Sequence, residues 1–215
     1  MARRRVAVLI SGGGSNLQAL LDRAAAPASP YEIVLVISNE PDAFGLERAR
    51  SAGIATRTVC HRDFADRTAF EAGLDQCLDA AAPDLVCLAG FMRILTPAFV
   101  VRWQDRLLNI HPALLPSFRG LRTHERALAA GVRVHGCTVH LVRPELDDGP
   151  ILVQGVVPVL AGDDPGTLAG RVLEVEHRCY PLALEGMASG TLRVEGDRVV
   201  GSGQRLVLHP LLEGC

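Results

Sequence analysis

In the first half of the chain, short unbroken apolar runs alternate with stretches of helical spacing. Residues 6–10 are continuously apolar, as expected of a strand buried on both faces. A glycine-rich turn follows, then a helical pattern over residues 16–26, closed by Pro27 and Pro30. Residues 33–37 repeat the buried-strand pattern. Asp42 is placed to cap a helix ending near residue 52, with Gly53 as its stop. Residues 55–59 form a third strand. Asp63 is placed to cap a longer helix on which Phe70, Leu74, Cys77, Leu78 and Ala81 share one face; Pro83 ends it. Residues 85–89 and 107–110 read as a fourth and a fifth strand. Such alternation predicts right-handed βαβ units and a parallel sheet.

The second half has a different rhythm. Residues 134–142 and 151–159 are longer strand patterns joined by the acidic loop 143–150. A final helix begins at Asp164-Pro165, cap and first-turn proline, with Leu168, Val172, Val175 and Cys179 facing inward. Gly196-Asp197 separates residues 192–194 from 199–200, a hairpin signal. Neither repeats nor linkers interrupt the 215 residues. One α/β domain with an antiparallel C-terminal extension accounts for the whole pattern.

Composition narrows the function classes. With 48% hydrophobic and 21% charged residues the chain is globular, and at this length it buries a sizeable core. A formal net charge of -2 argues against a nucleic-acid footprint, and so does an aromatic content of 4%, too sparse for a stacking platform. The apolar runs fall well short of the ~20 residues a membrane span needs. Residues 6–10, behind three arginines, are too short for a signal peptide. A cytoplasmic protein without membrane or nucleic-acid partners is expected. All 22 basic residues are arginine, which removes lysine-dependent Schiff-base and phosphate-loop chemistry. The six cysteines form no Cys-x-x-Cys pair, so buried free thiols are expected in place of a zinc or redox motif.

Three segments carry candidate chemistry. Ser11-Gly12-Gly13-Gly14-Ser15-Asn16 joins the first strand to the first helix, where glycines admit a ligand close to the backbone and the helix N-terminus favours an anion. It matches neither a dinucleotide fingerprint nor a Walker loop. It reads as a phosphate site, or as a tight turn with Ser15 as cap. Asn109 and His111, two apart on a strand, point to one side and supply an oxyanion donor and a proton shuttle, or a polar pair bonding its own loop. Glu145, Asp147 and Asp148 lie in the acidic loop, where a carboxylate can orient a histidine or keep it charged, or simply meet solvent; three carboxylates in four residues also look like a cation site, although a hard metal wants several oxygen ligands. His135 and His140, five apart on a strand, face opposite ways and do not share a metal. Arg67, at a helix start near its apolar face, reads as a buried ion-pair partner or as a contact for an anionic substrate.

Together these segments resemble the phosphoribosylglycinamide formyltransferase family, folate-dependent enzymes of purine synthesis. The resemblance runs from residue 6 to about residue 185. It rests on residues 10–17, 42–50, 88–95, 107–116, 135–140 and 145–150. The Asn-x-His-Pro and Asp-x-Gly-Pro pieces are shared by folate formyltransferases generally, and the Gly-Ser-Asn-Leu loop is more specific. The resemblance implies an α/β, Rossmann-like, mostly parallel sheet flanked by helices. Residues 1–110 would be the phosphate-binding half, 111–190 the folate and catalytic half, and 191–215 a small hairpin and tail, all within one formyltransferase domain.

The resemblance also implies a site. Gly14, Ser15, Asn16 and Glu176 would hold the ribonucleotide. Arg67, Met92, Arg93, Ile94 and Leu95, with Asn109, would line the place of 10-formyltetrahydrofolate. Asn109, His111 and Asp147 would carry formyl transfer to the primary amine of 5-phosphoribosylglycinamide, without a metal. The partners would be small molecules and the state a monomer or homodimer. Two departures stand near the site. Ser117-Phe118-Arg119 lies where members vary and often carry lysine, and Asp148 lies where glycine is common, adding a charge beside Asp147. A 10-formyltetrahydrofolate hydrolase or a formyltransferase acting on another amine shares the Asn–His–Asp set. A methionyl-tRNA formyltransferase would need a further domain and a basic surface. A non-catalytic folate- or nucleotide-binding module would not need the trio.

Overall fold

The computed structural model describes residues 2–203 and 205–212, and the chain divides after Asn109 into two compact units. In the first unit, β1 (Arg4–Ile10) lies between β2 (Tyr31–Ser38) and β4 (Leu85–Leu88). β3 (Thr56–Thr58) pairs outside β2, and β5 (Leu107–His111), whose last two residues open the second unit, pairs with β4. Every one of these pairings is parallel. β1 is where the unbroken apolar run predicted a doubly covered strand, and Val6 to Ile10 are wholly inaccessible to solvent. The helices α1 (Ser15–Ala24), α2 (Phe44–Ser51), α3 (Arg67–Ala81) and α4 (Pro97–Arg102) separate the strands.

Two caps differ from the expected ones. Asp42 does not cap α2: Ala43 holds the N-cap position and no side chain bonds there. Asp63 ends a 3-10 turn, His61–Asp63, and the cap of α3 is Asp66, whose side chain accepts from the Ala69 N–H at 2.8 Å. The apolar face of α3 otherwise follows the reading, with Phe70, Leu74 and Leu78 buried and Cys77 and Ala81 half-buried. Of the cysteines, Cys87, Cys137 and Cys179 are buried free thiols, whereas Cys60 and Cys77 are only half-buried; Cys215 lies outside the described residues.

In the second unit, β6 (Val134–Leu141) and β7 (Ile151–Pro158) pair antiparallel, and β10 (Leu206–Leu208) runs parallel to β7. α5 (Thr123–Ala129) precedes β6, and the long helix α6 (Pro165–Ser189) packs on β6 and β7. β8 (Leu192–Glu195) and β9 (Arg198–Gly201) form the expected hairpin. A mostly parallel sheet with flanking helices and an antiparallel addition is therefore the observed architecture. The pattern missed α4, α5 and β10, each too short for a periodicity to register. Among the described residues no helix is long and apolar enough to cross a membrane.

The start of α6 is fixed twice. Asp164 accepts from the Thr167 N–H at 2.8 Å while Thr167 Oγ1 accepts from the Asp164 N–H at 2.9 Å, a reciprocal cap. Beside it, Asp163 takes a two-pronged ion pair from Arg171 at 2.7 and 2.8 Å. The Arg171 guanidinium, with the Leu160 N–H, pulls the Asp163 carboxyl down to about 2. Because the folded state holds this acid below its ordinary 3.8, the stabilisation is full above that value and vanishes as pH falls toward 2. Asp163→Asn is expected to lower the melting temperature by several degrees at pH 7, and the gap to the parent protein should close between pH 4 and pH 2. Melting curves across that range check it; a gap independent of pH would contradict the ion pair's role.

Candidate active site

The glycine-rich turn follows β1 directly, and its shape depends on α2. Gly14 occupies the N-cap of α1 with φ 70°, a conformation that favours glycine. A Cβ there would stand 2.7 Å from the Cα of Gly45, and a Cβ on Gly45 would stand 2.5 Å from Ile10 Cδ1. The Gly45 N–H donates to the Gly12 carbonyl at 3.0 Å and Arg48 Nε to the Gly13 carbonyl at 2.9 Å. No side chain caps α1, so Ser15 is the first helical residue and not the cap of a self-contained turn. An uncapped N-terminus behind glycines is suited to a phosphate.

Elsewhere in the first unit, Arg67 is the first residue of α3 and is exposed, which removes the buried ion pair as its role. Met92 and Ile94 are 73% and 65% exposed and Arg93 is exposed, while Leu95 is half-buried. Two large apolar side chains in solvent on one short loop suit contact with a flat apolar ligand. Asn109 is half-buried near the end of β5.

The second unit gathers the acid–base groups. His111, two residues beyond Asn109 on β5, and Asp147 each leave only 7% of the side chain exposed, with His111 Nδ1 3.4 Å from Asp147 Oδ2. His111 Nε2 lies 3.0 Å from the Phe118 carbonyl, so both ring nitrogens face acceptors. The Gly120 N–H donates to Asp147 Oδ2 at 2.8 Å. Asp147 itself is left-handed, φ 52°. His140 Nε2 is 3.9 Å from Asp147 Oδ1, and its Nδ1 is 3.0 Å from the Leu141 carbonyl. Burial holds the His140 ring below its ordinary pKa, favouring the neutral imidazole. The extra charge of Asp148 is met by Arg119 in a direct ion pair, so the two departures from the family pattern answer each other. Glu176 is buried on α6.

Gly120, Phe118 and His140 are contacts that sequence reasoning did not assign. A backbone amide or carbonyl carries no signature, and the assignment of His140 depends on where loop 143–150 folds. Among the described residues no group of three or more His, Cys, Asp and Glu converges as a metal site requires.

A parallel α/β sheet with a phosphate-suited turn after its central strand, and a buried histidine–carboxylate pair, is the equipment of a group-transfer enzyme. The formyl transferase family model matches residues 4–184, and the chain belongs to that family. Phosphoribosylglycinamide formyltransferase of Escherichia coli K12 is 49% identical over 201 residues, spanning 94% of this chain and 95% of the relative. The trifunctional purine biosynthetic protein adenosine-3 of Gallus gallus is 51% identical over 190 residues, 88% of this chain and 19% of that protein, and the chain spans between 14% and 20% of the trifunctional relatives it matches. The crystal structure of glycinamide ribonucleotide transformylase 1 from Symbiobacterium toebii superposes with a TM-score of 0.89 at 48% identity, covering 92% and 93% of the two chains.

Beside the acid–base pair, His135 is buried against Phe118 and His124, with ring centroids 5.8 and 5.3 Å away. Burial first, then His124, push its pKa down to about 4; the Pro112 carbonyl opposes them, and His111 adds a lesser downward push. The folded state thus refuses a proton that the unfolded chain accepts near 6.5. The contribution of His135 to stability is complete above that value and is lost as pH falls from 6.5 toward 4. His135→Leu is expected to flatten this decline by ~2 kcal/mol, as read from urea midpoints at pH 7 and pH 4.5; an unchanged decline would place its source elsewhere.

Proposed function

We propose that the protein transfers the formyl group of 10-formyltetrahydrofolate to the amine of 5-phosphoribosylglycinamide, yielding formylglycinamide ribonucleotide and tetrahydrofolate. This is a cytoplasmic step of de novo purine synthesis. The observation that carries the reading is the buried His111–Asp147 contact, a proton-handling pair two residues from an amide donor. The family membership and the length of the match to named phosphoribosylglycinamide formyltransferases support the choice of substrates.

In this reading the bond between the formyl carbon and N10 breaks as a bond to the substrate amine forms, and one proton passes from the amine to N10. Asn109 donates a hydrogen bond to the oxyanion that develops on the formyl oxygen, a contribution of about 3 kcal/mol in comparable acyl transfers. His111 supplies the proton to N10 and stabilises the same charge. Asp147 orients the ring and holds a water that relays the amine proton. Gly14, Ser15 and Asn16 receive the ribose phosphate at the uncapped end of α1, and Glu176 contacts the ribonucleotide. Arg67 and residues 92–95 receive the folate, and the exposed Met92 and Ile94 fit the apolar faces of its rings. No metal enters the scheme.

The absorbance change as a 10-formylfolate loses its formyl group tests the reading. Turnover is expected only when the ribonucleotide is present; turnover without it would make the protein a hydrolase. His111→Asn is expected to cut kcat at least a hundredfold and to leave tetrahydrofolate affinity within about threefold. A kcat within threefold of the parent's would contradict the assignment of His111.

A further inference from the structure

Segment 90–96 of the first unit carries the side chains read above as the folate contacts, yet it exposes two large apolar residues and has no regular structure of its own. Such a loop would collapse or wander unless held. Three anchors hold it. At one end the Met92 N–H donates to Ser11 Oγ at 2.8 Å, and that hydroxyl donates in turn to Asn39 Oδ1 at 2.5 Å. Next to it the Phe91 ring stacks on Phe70 of α3, 6.5 Å between centroids and 12° between planes. At the other end stands Glu71, the residue after Phe70, only 5% exposed. Its Oε1 accepts from the Thr96 N–H at 2.6 Å, and its Oε2 accepts from the Thr96 hydroxyl. The same Thr96 oxygen accepts from the Phe99 N–H at 3.3 Å and so caps α4.

A buried carboxylate is expensive, and this one is held by donors from a single residue at the end of one loop. A structural need to start α4 would be met by Thr96 alone, as it is in ordinary caps. The second donor pair, Thr96 to Glu71, adds a fixed distance between the loop and α3, on which Arg67 stands one turn before Glu71. We propose that Glu71 is a positioning residue that presets segment 90–96 and Arg67 relative to each other, so that the folate meets a rigid surface and does not have to order one on binding. Preorganisation of this kind lowers the ordering cost of association. The proposal rests on the reading that Arg67 and residues 92–95 receive the folate.

The test compares Glu71→Leu, which leaves both Thr96 donors without an acceptor, with Glu71→Gln, whose amide oxygen still accepts from the Thr96 N–H. Tetrahydrofolate binding is measured by calorimetry, alongside kcat and both KM values. Glu71→Leu is expected to weaken tetrahydrofolate at least tenfold, to raise KM for the formyl-folate in step, and to leave kcat and the ribonucleotide KM within threefold. Glu71→Gln should recover tetrahydrofolate affinity to within threefold of the parent. Parent-like tetrahydrofolate affinity in Glu71→Leu would overturn the proposal while leaving the functional reading intact. Equal loss for both substrates, unrescued by Glu71→Gln, would reduce Glu71 to a structural residue and also overturn it. Failure of the parent protein itself to bind tetrahydrofolate would overturn the functional reading and the proposal together.

Discussion

A carboxylate taken out of water must have its oxygens met, and the second unit is organised around doing so for Asp147. Leaving such a group unpaired would cost several kcal/mol. The Gly120 amide and the His111 ring both approach Oδ2, and His140 stands beyond Oδ1. The loop that delivers Gly120 also delivers the Phe118 carbonyl to the other nitrogen of His111, so the ring is fixed from both sides. At the rim, Arg119 pairs with Asp148, tying the same loop to the acidic one with two exposed groups whose mutual attraction is worth little alone. Local geometry makes the arrangement possible: Asp147, Phe118 and Gly120 all take left-handed conformations, and the backbone turns tightly enough to aim an amide and a carbonyl at neighbouring targets.

The first unit solves a different problem, that of keeping a binding surface open without losing its shape. Its glycine-rich turn is braced from outside by the start of α2, through Gly45 and Arg48, which occupy the Gly12 and Gly13 carbonyls. The helix end behind it is left without a side-chain cap. Segment 90–96 is treated in the same manner, with exposed side chains and a backbone secured at Ser11 and Glu71. In both places the fixed points are backbone groups held by residues from other elements, and the variable surface faces solvent. Pre-formed polar and apolar surfaces of this kind recognise ligands with little reorganisation.

Much of this was legible before any coordinates. Buried-strand runs located β1, β2 and β4. The switch to longer strands located the β6–β7 pair, and the spacing of Asn109 and His111 placed both on β5. The pairing of Asp147 with His111 followed from the family resemblance and from the acidic loop's composition together. What escaped notice has physical reasons. Asp42 and Asp63 satisfy the same local rule as Asp66, and only the path of the preceding chain decides which one caps. α4 and α5 are shorter than two full turns of amphipathic signal. Glu71 was invisible as a functional candidate because it sits on the apolar side of a helix, where one carboxylate among leucines announces only that some donor must reach it.

The central claim of the proposed mechanism is that the Asp147 carboxylate orients His111 and holds the water that relays the amine proton. Asp147→Asn keeps the size and an acceptor for the Gly120 amide while removing the charge. Its kcat under saturating substrates is the most direct measurement. The account predicts a fall of at least a hundredfold with tetrahydrofolate affinity within threefold of the parent protein; a kcat within threefold of the parent's would contradict it.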